Sequence, residues 1–151
     1  EGRRPVIGAL PVHLRLGDWT EQGFPCYSGT ITYVADVEMT PAKGERVFLE
    51  VPGWQGVLSK VRVNGKHAGC VAWPPWEVEV TGCLVPGKNK VEIEIVGSRR
   101  NLLGPLHLTE LYPPWTGPGQ FETSGDKWTD EYVKVPYGLM KSPVLSVRKA
   151  R

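Results

Sequence analysis

Six tryptophans stand in a chain of 151 residues: Trp19, Trp54, Trp73, Trp76, Trp115 and Trp128. Three of them sit among prolines and glycines: Trp54 in PGWQG (52–56), Trp73 in AWPPW (72–76) and Trp115 in PPWTGPG (113–119). An aromatic face stacks on the C–H-rich face of a sugar while neighbouring polar groups read its hydroxyls. A ring framed by proline has little freedom to lose on binding. Trp54, Trp73 and Trp115 are therefore the aromatic ligand candidates. The alternative is that these rings plug the ends of a β-structure and cover its core, as large aromatics commonly do. Trp76 begins a strand pattern and reads as a packing residue.

A second group is polar. SRRNLLGPLH (98–107) gathers Arg99, Arg100, Asn101 and His107 around a Gly-Pro bend. Arginine makes paired hydrogen bonds to vicinal hydroxyls or to a uronic carboxylate. The competing role is to tie down loop carbonyls, which irregular backbone requires. Glu122, Asp126, Asp130 and Glu131 form a carboxylate cluster in a loop-like region. Two carboxylates can serve a glycosidase as acid and nucleophile, but only in a cleft that raises one pKa. The more economical reading is of solvated loop acids. The sequence contains no nucleophile elbow, HExxH, P-loop or GxGxxG motif, and His13, His67 and His107 are far apart, so no catalytic residue and no metal ligand is assigned.

Short alternating runs must position these groups. TITYVADVEM (30–39) places Ile31, Tyr33, Ala35, Val37 and Met39 on one side. VFLEV (47–51) points Val47, Leu49 and Val51 inward, and VLSKVRV (57–63) does the same with Val57, Ser59, Val61 and Val63. WEVEV (76–80) and KVEIEIV (90–96) complete the period-2 pattern of half-buried strands. Asn64-Gly65 is the signature of a two-residue hairpin turn, and Pro86-Gly87 suits a type II turn. HLRLGD (13–18) is expected to begin the sheets. Residues 102–111 are expected to start as a loop and end as a strand, and DEYVKV (130–135) and PVLSVRK (143–149) to close them. Residues 112–130 form a long excursion with room for one helical turn, and excursions of this kind often carry function. The outward glutamates are expected to pair with Lys60 and Arg62 across a solvent face.

The order of these pieces resembles the jelly-roll "sugar-binding" domain of glycoside hydrolase family 2 enzymes, of the galactose-binding-like type. The matching pieces are a strand at 46–51, VRVNGKHAG (61–69) and WPPWEVEVTGCLVPGKNKVEIEI (73–95). The flanks at 18–33, 97–108 and 117–139 resemble C-terminal modules of large bacterial rhamnosidase-type proteins. The resemblance implies an all-β, jelly-roll β-sandwich of two antiparallel sheets. It also implies a non-catalytic accessory module of a larger glycoside hydrolase. The implied partners are a poly- or oligosaccharide and the catalytic domain of the same parent chain. Some modules of this type hold a structural calcium through loop carboxylates and carbonyls, although EF-hand spacing is missing here.

Size and charge fit such a module. A chain of 151 residues forms one domain and leaves no room for a catalytic barrel of ~250 residues beside it. The net charge of +2, from 18 basic and 16 acidic residues, gives no reason to expect nucleic acid or an anionic membrane as partner. Glu1 in first place leads us to expect a piece of a longer polypeptide, with 1–12 as a linker and 13–151 as the module. Cys26, Cys70 and Cys83 match no zinc spacing and read as free buried thiols. Any sugar bound by stacking and a few hydrogen bonds is expected to have a Kd of roughly micromolar to millimolar.

Overall fold

The computed structural model describes residues 8–9 and 11–149, so most of the linker expected over 1–12 lies outside the described residues. Among the described residues nine strands form three antiparallel groups: β1 (Thr30–Glu38), β2 (Glu45–Glu50), β3 (Trp54–Gln55), β4 (Leu58–Val63), β5 (Lys66–Val71), β6 (Glu77–Glu79), β7 (Lys88–Val96), β8 (Gly138–Leu139) and β9 (Val144–Lys149). One sheet runs β1-β7-β4-β5 and the facing sheet β6-β2-β9, with β3-β8 as a two-stranded ribbon. The expected β-sandwich is present, and the ribbon is an addition to its two sheets.

The alternation read from the sequence positions the core. Val47, Leu49, Val51, Val61, Val63, Val91, Ile93 and Ile95 are all buried and interdigitate between the sheets. Their neighbours of opposite parity face solvent. Lys60 meets Glu94 at 2.7 Å, as expected, but Glu77 and Glu79 lie in the other sheet and take different cations. Arg148 grips Glu77, Arg46 grips Glu79, and the two guanidiniums flank the Phe48 ring at 4.2 and 5.3 Å from its centroid.

One end of the sandwich is tied by side-chain amides. Asn64 (φ 53°) and Gly65 (φ 77°) make the expected hairpin turn, and Gly87 (φ 88°) follows Pro86. Buried Asn89 connects the turns: its Nδ2 faces the carbonyls of Val85, Gly87 and Met39, at 2.9, 2.8 and 3.2 Å. Its Oδ1 accepts from Val85 N and Asn64 Nδ2, both at 2.8 Å. Asn64 also donates to the Cys83 carbonyl at 3.0 Å and accepts from Lys90 N at 3.0 Å.

Elsewhere the structure corrects the sequence reading. Residues 13–18 form no strand: Asp18 caps a 3-10 turn (Trp19–Gln22) through Thr20 N, and Leu16 is exposed. Val57 is exposed because β4 starts one residue later, and its N–H is used by Val96 O. Residues 102–111 begin with the second half of one helical turn, α1 (Arg100–Leu103), and then show only the bridge Leu108 to Trp128 in place of a strand. Residues 130–135 are irregular, because Asn101 and the Leu106 carbonyl satisfy their backbone instead of a neighbouring strand. The three cysteines are free, but Cys70 faces outward on β5 and is exposed.

On the flank between β1 and β9 a cavity of about 690 Å³ reaches the core. It is lined by Ile31, Tyr33, Val37, Leu49, Ile93 and Leu145, with residues 11–14 of the incoming chain at its edge.

Two predictions follow from these ties. Asn89→Leu should destabilise the protein by about 3 kcal/mol in urea melts, since it strands several buried backbone groups. Asn64→Ala combined with it should cost less than the sum, because both act on one network. Hydrogen bonds from Arg148 and Arg46 hold the Glu77 and Glu79 carboxyls below the usual glutamate range. A depressed folded-state pKa stabilises above the unfolded value, and that contribution is lost as pH falls through the folded one. This contribution to stability should therefore be lost as pH falls below the ordinary glutamate range. The Glu77→Gln/Glu79→Gln double variant should show a shallower decline, and added salt should reduce the difference because both pairs are exposed.

Candidate functional site

Strand direction sorts the connections into two ends. At one end lie the β1–β2 loop, the Asn64-Gly65 turn and the β6–β7 loop, all short. At the other, β4 begins beside the ends of β5 and β7, and β1, β6 and β9 also begin. This second end therefore collects the incoming segment 11–29, the 51–57 connection, the 72–76 loop and the long excursion 97–143. All six tryptophans belong to these segments, as do Arg99, Arg100, Asn101 and His107. Every aromatic and polar candidate from the sequence thus lies on a segment that leaves the strands at this one end of the sandwich.

Within that end the candidates differ in availability. Trp73 is 75 % exposed and Trp115 62 %, so both present open faces. Trp54 is half-buried on β3, packs on the core and meets Trp76 edge to face, with ring centroids 6.0 Å apart. Trp76 is 43 % exposed, more available than its strand-like context implies. The reason is position: it lies one residue before β6, with its carbonyl taken by Val51 N at 2.8 Å. Trp54 and Trp76 form an aromatic pair, Trp73 lies on the same 72–76 segment as Trp76, and Trp115 lies on the excursion. Trp19 is fully buried, and its backbone N–H binds Tyr137 O at 2.8 Å.

The polar group divides similarly. Asn101 is buried and commits both ends of its amide to Val135, donating to its carbonyl and accepting from its N–H, each at 2.8 Å. Arg99 is exposed. Arg100 folds back over Gly104 and lies beside Tyr137, whose phenol hydrogen-bonds Ser98 Oγ. Burial raises the Tyr137 pKa and lowers that of Arg100. His107 stacks on Trp128 at 6.1 Å and against Tyr132 at 4.9 Å, with Nδ1 2.9 Å from the Thr129 carbonyl. That contact makes Nδ1 the protonated nitrogen of the neutral ring. Glu122, Asp126, Asp130 and Glu131 are all exposed, and among the described residues no three His, Cys, Asp or Glu side chains are grouped to hold a metal. Among the described residues no helix is long and apolar enough to cross a membrane.

Tyr112, 61 % exposed, and Phe121, 53 % exposed, extend the aromatic surface and were not distinguished by the sequence reading. Their signal was present in composition, as aromatics within a Gly/Pro-rich excursion, but no periodicity sets a loop side chain's direction.

No protein-family model matches the chain, and no curated protein does. Solved structures match in fold. A rhamnosidase from Novosphingobium sp. PP1Y superposes with a TM-score of 0.57 at 22 % identity, over 83 % of this chain and 12 % of that one. A glycosyl hydrolase family 2 member from Bacteroides cellulosilyticus gives 0.54 at 14 % identity, over 87 % and 16 %. A family 2 β-galacturonidase from Eisenbergiella tayi gives 0.52 at 24 % identity, over 85 % and 18 %. This chain spans less than a fifth of each.

The committed amide of Asn101 makes a prediction. Asn101→Ala should lower stability by about 2–3 kcal/mol, because it leaves a buried N–H and C=O of Val135 without partners. Urea melts check this. Taken together, the topology and these likenesses show that the chain has the β-sandwich fold found as one part of family 2 and rhamnosidase-type glycosidases.

Proposed function

We propose that this chain is a non-catalytic carbohydrate-binding module of a larger glycoside hydrolase and that its sugar site is the loop end of the sandwich. The observation that carries this reading is the collection of all six tryptophans and the polar 98–107 segment at one end, with Trp73, Trp76 and Trp115 open to solvent. Stacking on these rings orients a pyranose, and loop amides and hydroxyls select among its hydroxyl groups. The exposed carboxylates of 122–131 lack the enclosed cleft that would raise one pKa for acid catalysis, which favours binding over hydrolysis.

The exposed side chains of Leu102, Leu103, Tyr112 and Phe121 favour a second reading. Apolar groups of this size on one excursion suit contact with another domain of the same parent chain, with no sugar bound.

Affinity electrophoresis of the folded chain on a polysaccharide panel, followed by calorimetry, distinguishes the two. The binding reading expects retardation by one polymer class. Trp73→Ala or Trp76→Ala should weaken binding roughly tenfold, equivalent to ~1.4 kcal/mol. Folded protein that no polymer retards supports the second reading and removes the first.

A further inference from the structure

Arg100 is set apart from the other cations of the structure. Its Nε, Nη1 and Nη2 are all occluded from solvent, and none has a hydrogen-bond partner among the described residues. Arg46, Arg148, Lys60 and Lys134, by contrast, each hold a carboxylate. The guanidinium folds back on its own turn, with Nη1 only 2.7 Å from where a Cβ on Gly104 would stand, so the glycine makes space for it. The polar group nearest in electrostatic effect is the Tyr137 phenol, on which Tyr112 also acts. Arginine stays protonated in such surroundings.

A desolvated cation lacking a counter-charge is unfavourable, and neutral hydroxyls offer only dipoles in compensation. A carboxylate offers a full charge and two oxygens in the geometry of the guanidinium fork. The cover over Arg100 is slight. The turn is four residues long, closed by N–H donations of Leu102 and Leu103 to Arg99 O and of Gly104 to Arg100 O. Leu102 and Leu103 are themselves exposed, but buried Asn101 binds Val135 through both ends of its amide, so the turn stays in place and the Arg100 side chain is the part free to move.

We propose that Arg100 is a recognition point for the carboxylate of a hexuronate unit, reached when the arginine side chain swings off Gly104 while Asn101 keeps the turn on Val135. Tyr112 then supplies an exposed ring for the rest of the sugar. This rests on the carbohydrate-binding reading for its ligand class, but not on the tryptophan group for its contacts.

The test uses the whole chain, titrated separately with D-galacturonate, D-galactose and acetate. Readouts are the Arg100 Nε–Hε resonance and calorimetric affinity, with polygalacturonate and a neutral galactan run in parallel by affinity electrophoresis. The expected result is a shifted Arg100 signal with galacturonate and at least tenfold tighter binding than galactose. The difference should shrink in high salt, be abolished in Arg100→Gln and be reduced in Arg100→Lys. Circular dichroism establishes that the variants are folded; if Arg100→Gln is not, the wild-type comparison of acid with neutral sugar decides. Equal affinity for galacturonate and galactose overturns the inference while leaving a neutral-sugar module intact. Acetate binding as tightly as galacturonate overturns the assignment to a sugar acid. A galacturonate-shifted Arg100 with no polymer retarded supports this inference and removes the polysaccharide-binding reading.

Discussion

The buried amide of Asn89 is the contact on which the sandwich depends. It reaches the carbonyls of Met39, Val85 and Gly87 and, through Asn64, the β4–β5 turn and the Cys83 carbonyl. Three connections from three parts of the chain are thereby held against one side chain. A leucine of similar size fills the space but leaves these backbone groups without partners, and a buried amide or carbonyl without a partner is costly. Short turns at this end keep the ends of the strands in register, and register decides which side chains enter the core.

With one end tied, the other can carry long irregular segments. The incoming segment is held there by Asp18, which binds Thr20 and accepts from Tyr137 N, and by the pairing of Gly17 and Trp19 with Leu139 and Tyr137. Asn101 anchors the base of the excursion to Val135. These few polar contacts let residues 97–143 leave β7 and return to β9 with only the short β8 as a strand, while Tyr112, Trp115 and Phe121 remain outside the core. A rigid β-framework with variable loops at one end is a common basis for binding sites.

The strands were legible because their physics is local. Period-2 alternation located Val47, Leu49, Val91, Ile93 and Ile95, and Asn64-Gly65 announced its turn through the need for positive φ. The loop end was legible only in composition. Nothing along the chain distinguishes Asn101, which ties backbone, from Arg100, whose guanidinium lacks a partner, because the difference lies in Val135, Gly104 and Tyr137, far apart in sequence. For the same reason residues 130–135 looked like a strand: their apolar spacing is right, but Asn101 satisfies the backbone that a neighbouring strand would have paired. Trp76 packs edge to face on Trp54 and is still 43 % exposed, since a ring just before a strand need not share its buried face.

The cavity between β1 and β9 makes the two flanks of the sandwich unequal. On the β5–β6 side Gly69 lets the sheets approach closely, with Val78 where a Cβ would stand. On the other side Ile31, Tyr33 and Val37 are only partly covered, and each bordering strand has one hydrogen-bonded neighbour. Opening should therefore begin at β1 and β9, where separation exposes little additional apolar surface, while β4 and β7 remain paired until global unfolding. Amide hydrogen exchange along the chain would show a gradient from one flank to the other, with Asn89 bonded to Met39 just beyond the far end of the weaker strand. Local fluctuation at β1 is thus mechanically coupled to the tied turns at one end and, through Gly29 to Gly97 and Tyr33 to Leu139, to the roots of the excursion at the other.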